Sequence, residues 1–158
     1  EKTGRIDWVT DLADIPEKYG VKNVYGDLGQ IFAQSTVAEP RLCAAMMGML
    51  VKGLGVDHVI WGTDAIWTGA PQWQIEALRR LEIPEDMQKR HGFAPLGDAT
   101  GPVKSAIFGL NSARLYDIEP KALAGREDGI TRRKRAYLAE GGQRSNLRYG
   151  FADPGRGG

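Results

Sequence analysis

The chain has 158 residues, of which 42% are hydrophobic and 26% are charged, which is typical of a soluble globular protein of about one domain. It contains no run of about 20 apolar residues, so we predict no membrane-spanning helix. The single cysteine, Cys43, excludes an internal disulfide, and two histidines make a zinc site built by this chain alone hard to assemble. Because the first residue is not methionine, the start of the chain says little about targeting, and a cytoplasmic location is the working expectation.

The charge is unevenly distributed along the chain, although its net value is only +1. Residues 1–120 carry 12 Lys and Arg against 16 Asp and Glu, whereas residues 121–158 carry 9 against 4. The sequence therefore predicts a mildly acidic body, 1–120, and a basic C-terminal tail, 121–158.

The first half of the chain alternates between helical and extended patterns. Residues 7–19 are partly helical and end at Gly20, and the short run 21–29 is rich in β-forming residues. Pro40 begins an apolar helix that we expect to be buried on more than one flank. The stretch 58–64, "HVIWGTD", is continuously apolar before its acid, as in a strand covered on both faces of a parallel sheet.

The second half reads as helices followed by a polar tail. Helices are predicted to begin at Pro71, Pro84 and Pro102, and Asn111 is a candidate helix cap. "ITRRKRAYLAE" is also compatible with a helix, and the glycine-rich end with an extended chain. The overall alternation predicts parallel α/β architecture, but two strands make no stable sheet, so we expect a part of a larger α/β domain.

Asp64 is the main functional candidate because it stands where a buried strand ends. In parallel α/β folds, functional groups collect at the carboxyl ends of the strands, and Gly62 leaves room there for a close approach. An ionised carboxylate at this place needs a partner, which could be a metal ion, an arginine or backbone N–H groups. The alternative is that Asp64 only caps the following turn or helix.

Four stretches together resemble the C-terminal portion of the metal-dependent amidohydrolase superfamily. They are "VYGDLGQIFA", "GLGVDHVIWGTDAIW", "PQWQIEALRRLEIPEDMQKRHGFAPLG" and "VKSAIFGLNSARLYDI". The branch they most resemble is the amidohydrolase-related group that includes aminocarboxymuconate-semialdehyde decarboxylases and resorcylate-type decarboxylases. The resemblance covers roughly residues 7–150, and its most specific element is "VIWGTD" followed later by "AIFGLNSARLY".

The resemblance implies the C-terminal part of a (β/α)₈ TIM barrel. It makes 21–27 the seventh strand, 41–53 the seventh helix, 58–64 the eighth strand and 103–116 the closing helix. In that family the aspartate ending strand eight ligates a divalent metal, often zinc, and helps to deprotonate the metal-bound water. By this match Asp64 is both a metal ligand and a catalytic base. The family's other ligands are histidines on strands one, five and six, which this chain lacks, so it is expected to be incomplete alone.

Several other residues are weaker candidates. Asp27 ends the other strand and could face the pocket or make only a loop hydrogen bond. Trp67 and Trp73 flank the loop after Asp64 and could line a substrate pocket or only pack that loop on the barrel rim. His58 starts the strand that Asp64 ends and is expected at the opposite end of the barrel. His91 lies at a helix end, where the helix dipole favours it.

The expected parent is therefore a hydrolase or decarboxylase acting on a small molecule. The alternative is a barrel that has lost its ligands and acts as a structural or binding protein. The basic run "RRKR", with only Tyr137 nearby, favours a solvated helix or a subunit-packing arm of a homo-oligomer over an RNA-binding segment. No nucleic-acid or membrane partner is expected.

Overall fold

The structure, a computed structural model, describes residues 3–120 and 130–142. The chain divides into two compact units, the first ending at Glu119 and the second beginning at Pro120. The described residues contain no helix that is both long and apolar enough to cross a membrane.

The first unit is mostly helical around a very short parallel sheet. Its helices are α1 Asp7–Ala13, α2 Ile15–Tyr19, α3 Gly29–Ala38, α4 Pro40–Leu54, α5 Ala65–Thr68, α6 Pro71–Arg80, α7 Glu85–His91, α8 Pro102–Ser105 and α9 Asn111–Leu115. Its strands are β1 Gly26–Asp27 and β2 Val59–Ile60. A 3₁₀ turn, Val56–His58, precedes β2, and a π-helical segment, Ala106–Leu110, joins α8 to α9.

The two strands pair in parallel with Gly26 opposite Val59 and Asp27 opposite Ile60. One further ladder bond runs from the Leu28 N–H to the Ile60 carbonyl at 3.3 Å. The structure thus shows the two predicted strands as neighbours, but with two residues each rather than seven or more. No closed barrel is present among the described residues, so the barrel stays an inference from resemblance.

Helix α4 forms the centre of the core. Residues 43–51 are all buried, which confirms the expectation that this helix is covered on more than one flank. Helices α1 and α3 pack against it, and Gly26 of β1 lies directly over the side chains of Leu50 and Leu54. The sheet therefore packs against α4, and this helix positions the ends of both strands.

Several helix boundaries follow the local chemistry that the sequence displays. Pro40 and Pro71 occupy the first position of their helices, where a missing N–H costs nothing. Gly20 and Gly92 end α2 and α7 with φ of +65° and +66°, which glycine adopts without steric penalty. Helix α3 was not predicted, because the sequence pattern indicated no helix between Gly29 and Ala38.

Asn111 does not act as a helix cap as predicted. Its side chain is 1% exposed, and Nδ2 donates to the carbonyls of Val56 and Val59 at 2.7 Å each. The helical path runs through this residue from the π-helical segment into α9. Asn111 therefore ties the last helix of the unit to the start of β2.

The second unit contains α10, Ile130–Ala139, the basic helix that the tail sequence allows. Its described side chains, from Arg132 to Ala139, are exposed. The predicted extended end, 143–158, lies outside the described residues.

Candidate functional site

Asp64 lies just beyond the carboxyl end of β2, in the loop between that strand and α5. Its backbone has φ +46° and ψ +40°, a left-handed conformation that few residues other than glycine adopt. The residue is exposed. Aspartate adopts this conformation at lower cost than most side chains, and left-handed non-glycine residues occur both in turns and at functional sites.

The carboxylate of Asp64 is held by the first turn of α3. Its Oδ2 accepts a hydrogen bond from the backbone N–H of Gln30 at 2.8 Å, and Gln30 is the second residue of that helix. The N-terminus of a helix carries a partial positive charge that favours an anion. A metal ion, an arginine and backbone N–H groups were the three possible partners of this carboxylate, and the structure shows a backbone N–H.

The capping alternative takes an unexpected form. Asp64 precedes α5, yet its side chain makes no capping bond to that helix. It caps α3, which begins 35 residues earlier and follows the neighbouring strand. The cap therefore joins the ends of both strands, and among the described residues Oδ1 accepts no hydrogen bond.

The backbone of the Asp64 loop is fixed from the other side by a buried amide. Gln74 on α6 is 0% exposed, and its Nε2 donates to the Thr63 carbonyl at 3.0 Å and to Thr68 Oγ1 at 2.7 Å. The Thr68 hydroxyl lies 2.7 Å from the Thr63 carbonyl as well. This network holds the residue that immediately precedes Asp64 and supports the left-handed turn.

Asp27 ends β1 beside the same loop. The space left by Gly62 is occupied by the Asp27 carboxylate, because a Cβ on Gly62 would overlap its Oδ1. Partial burial, and then the negative charge of Asp64, raise the pKa of Asp27 above its usual value, against a backbone hydrogen bond from Leu28. The two predicted acids thus interact electrostatically at one edge of the sheet.

A cavity of about 270 Å³ opens next to these acids. Its walls are predominantly apolar side chains from α1, α3 and α4, and its remaining lining comes from the end of β1, the first residues of α3 and Asp64. The apolar lining residues are Trp8, Val9, Leu12, Leu28, Ile31, Phe32, Cys43, Met46, Met47 and Leu50. Asp27 and Asp64 are the charged residues among those described around it. Apolar walls with a few polar groups at one end are typical of small-molecule sites.

The residues present fit a metal ion only in part. Asp64 offers one oxygen without a hydrogen bond, and Asp27 adds a second carboxylate nearby, both of which are suitable ligand types for zinc. However, no group of three or more His, Cys, Asp or Glu side chains in the described residues could hold a metal. Any further ligand would have to come from outside this part of the chain.

Of the other candidates, Trp67 and Trp73 are not among the described residues that line this cavity. Trp67 on α5 is 77% exposed, and Trp73 on α6 is half-buried. His58 precedes β2, with Nδ1 3.1 Å from Asp57 Oδ1 and its ring 4.7 Å from that of Tyr25. His91 ends α7, and its carbonyl accepts from Lys52 Nζ at 2.8 Å.

Comparison with known proteins finds no relative: no protein-family model, no curated protein and no solved structure matches the chain.

Gln30 and Gln74 are the site residues that sequence reasoning missed. Gln30 acts through its backbone N–H, which every residue except proline offers, so its identity carries no signal. Gln74 does carry a weak signal, because it lies one turn before Leu78 on α6, and a polar residue on the same face as a buried leucine usually has a specific partner.

Proposed function

We propose that the chain is the C-terminal segment of a metal-dependent hydrolase or decarboxylase of the amidohydrolase type, built on a TIM barrel. In this proposal Asp64 is a metal ligand and the base that accepts a proton from the attacking water. Zinc is the proposed metal, and the remaining ligands are histidines outside the described residues. The observation that carries the proposal is an exposed, left-handed aspartate at the carboxyl end of a parallel strand, beside an apolar cavity.

The two carboxylate oxygens of Asp64 have different surroundings, which suit the proposed roles of metal ligand and base. Oδ2 is held by the Gln30 N–H, while Oδ1 is available to bind a cation or to receive a proton. A bound zinc ion would supply Lewis acidity, which lowers the pKa of its water towards neutrality. Asp64 would orient that water, and the apolar walls would bind the body of a small substrate and exclude other water.

The remaining expectations belong to the same proposal. The substrate is a small organic molecule, and neither nucleic acid nor a membrane is a partner. Exposed apolar residues such as Trp8 and Ile31, which flank the cavity, are compatible with further covering by the rest of the enzyme or by a second subunit. The proposed compartment is the cytoplasm.

The test is to replace Asp64 with asparagine in the longest natural polypeptide that contains this segment. Asparagine keeps the size and an acceptor oxygen for the Gln30 N–H but removes the charge. We expect bound zinc to fall by at least about 10-fold, because a charged ligand is lost, and turnover to fall by about 100-fold or more, because the base is lost as well.

Asp117→Asn is the matched control, because Asp117 is the other described aspartate with a left-handed backbone, at φ +53°, and it is also exposed. It should leave both zinc content and turnover unchanged. Unchanged metal and activity in Asp64→Asn would reject the proposal. A protein that folds normally but contains no metal even in its natural form would favour the ligand-depleted structural barrel.

A further inference from the structure

Besides accepting a hydrogen bond from Gln30, the Asp64 carboxylate packs closely against Gly29, the preceding residue of α3. Gly29 is the first residue of α3 and has φ +41°, a conformation that side chains rarely adopt. A Cβ built on it would lie 2.8 Å from Oδ2 of Asp64 and 3.4 Å from its carboxyl carbon. The Asp64 carboxylate therefore occupies the space that a side chain at position 29 would need.

The neighbouring contacts leave the carboxylate little freedom. The Gln30 N–H binds Oδ2 at 2.8 Å, and the Gln74 amide fixes the Thr63 carbonyl at the other end of the loop. With Oδ2 held against the backbone of α3, Oδ1 is the oxygen that is left without a hydrogen bond among the described residues. A carboxylate held through one oxygen offers a single, directed oxygen to a cation or a proton.

We propose that Gly29 is a positioning residue for Asp64, and that its missing side chain decides which oxygen faces the site. The inference rests on the proposed function for its chemical consequence, which is metal affinity. Its structural content, a steric and hydrogen-bonded coupling between positions 29 and 64, is independent of metal and catalysis. Precise orientation of a ligand by such a contact is worth about 10- to 100-fold in metal affinity.

The first experiment is a double-mutant cycle on the longest natural polypeptide that contains the segment, freed of metal with a chelator, using Gly29→Ala, Asp64→Ala and the double variant. Alanine at 29 should displace the carboxylate, and exchange of the Gln30 amide hydrogen should accelerate by about 10-fold or more, because a hydrogen bond to a charged group is lost. In the Asp64→Ala background the clash is absent, so Gly29→Ala should cost much less stability there than it does when the Asp64 side chain is present.

The matched control is Gly97→Ala. Gly97 also has a positive φ, +70°, but a Cβ there would have no neighbour within 4 Å. It reports the cost of the backbone conformation alone, and its effect should be the same with or without the Asp64 side chain. The proposal is overturned if the changes that Gly29→Ala and Asp64→Ala make in the free energy of unfolding are additive. It is also overturned if exchange of the Gln30 amide hydrogen is unchanged in Gly29→Ala.

The second experiment measures zinc affinity in the longest natural polypeptide that contains the segment. Gly29→Ala is expected to weaken zinc binding by about 10- to 100-fold, and Gly97→Ala to leave it unchanged. Equal affinity in the two variants would overturn the positioning role. Absence of zinc from the natural protein would instead reject the proposed function, while the coupling measured in the cycle would stand.

Discussion

Asp27 and Asp64 are two like charges that the fold places at the ends of adjacent strands. Parallel pairing of β1 with β2 brings the strand ends to one edge, and Gly62 admits the Asp27 carboxylate to the loop that carries Asp64. Partial burial, and after it the negative charge of Asp64, raise the pKa of Asp27 and so disfavour its ionised form. A site of this kind favours either a cation or a retained proton.

The pKa of Asp27 should respond to the charge at position 64. In the metal-free chain with chelator present, Asp64→Asn removes one of the two causes that raise this pKa and leaves the other, partial burial, in place. We expect the pKa of Asp27 to fall while staying above its usual value, and Asp117→Asn to leave it unchanged. Carbon-detected NMR titration of the aspartate carboxyl groups measures the pKa of Asp27 in both variants. An unchanged pKa in Asp64→Asn would contradict the electrostatic interaction between Asp27 and Asp64.

The same shift has a defined consequence for stability. Because the folded state holds the Asp27 proton more tightly than the unfolded chain does, stability is lost as pH rises from the usual aspartate pKa through the raised one. Asp27→Asn should remove that loss, so the variant should gain stability relative to the natural chain as pH rises across this window. Urea unfolding of both proteins at a series of pH values measures whether this stability difference grows as pH rises.

At the scale of elements, Asn111 links the final helix of the first unit to the strand that leads into the site. Removing its side chain in Asn111→Ala would remove both hydrogen bonds, so that the Val59 carbonyl loses its buried donor, while the Val56 carbonyl keeps its bond from the Val59 N–H. We expect a loss of about 1–3 kcal/mol in the free energy of unfolding, measured by urea denaturation with circular dichroism and tryptophan fluorescence.

The control for this variant is Asn23→Ala, since Asn23 is exposed in the segment before β1. It should change stability by less than about 0.5 kcal/mol. A loss of similar size in both variants would show that the two hydrogen bonds of Asn111 contribute nothing specific.

Elements whose ends are set by local chemistry were predictable from the sequence. Proline fixes the starts of α4 and α6, and glycine the ends of α2 and α7, because these residues restrict or free the backbone wherever they stand. Helix α3 was missed for the opposite reason. Its stretch "GQIFAQSTVA" has β-branched residues near its end, and only Phe32 and Ala33 are buried, so no helical stripe is visible.

The site was predictable only in part. Asp64 was identifiable because an acid after an apolar run marks a strand end, and Asp27 because it occupies the same place on the other strand. Their contacts were not, since the Gln30 N–H belongs to a helix 34 residues away in sequence, and the packing of Asp27 against Gly62 depends on the pairing register. Such contacts are set by tertiary structure.

At the scale of the whole first unit, the two faces of the sheet differ. Gly26 and Val59 face the helices, where Val59 is 0% exposed, whereas Asp27 is exposed and Ile60 half-buried. The sequence predicted strands covered on both faces, and in the described residues the second face is covered less completely.

If the remaining ligands lie elsewhere, zinc should bind this 158-residue chain only weakly. The site offers two carboxylates, and no group of three donors exists among the described residues, whereas stable zinc sites use three or four protein ligands. Equilibrium dialysis of the chain with zinc should therefore show weak binding, and assays with added zinc should show no turnover. The binding that does occur should decrease in Asp64→Asn and stay the same in Asp117→Asn. Tight one-to-one binding that survives Asp64→Asn would place the metal at another site and remove Asp64 from the proposed chemistry.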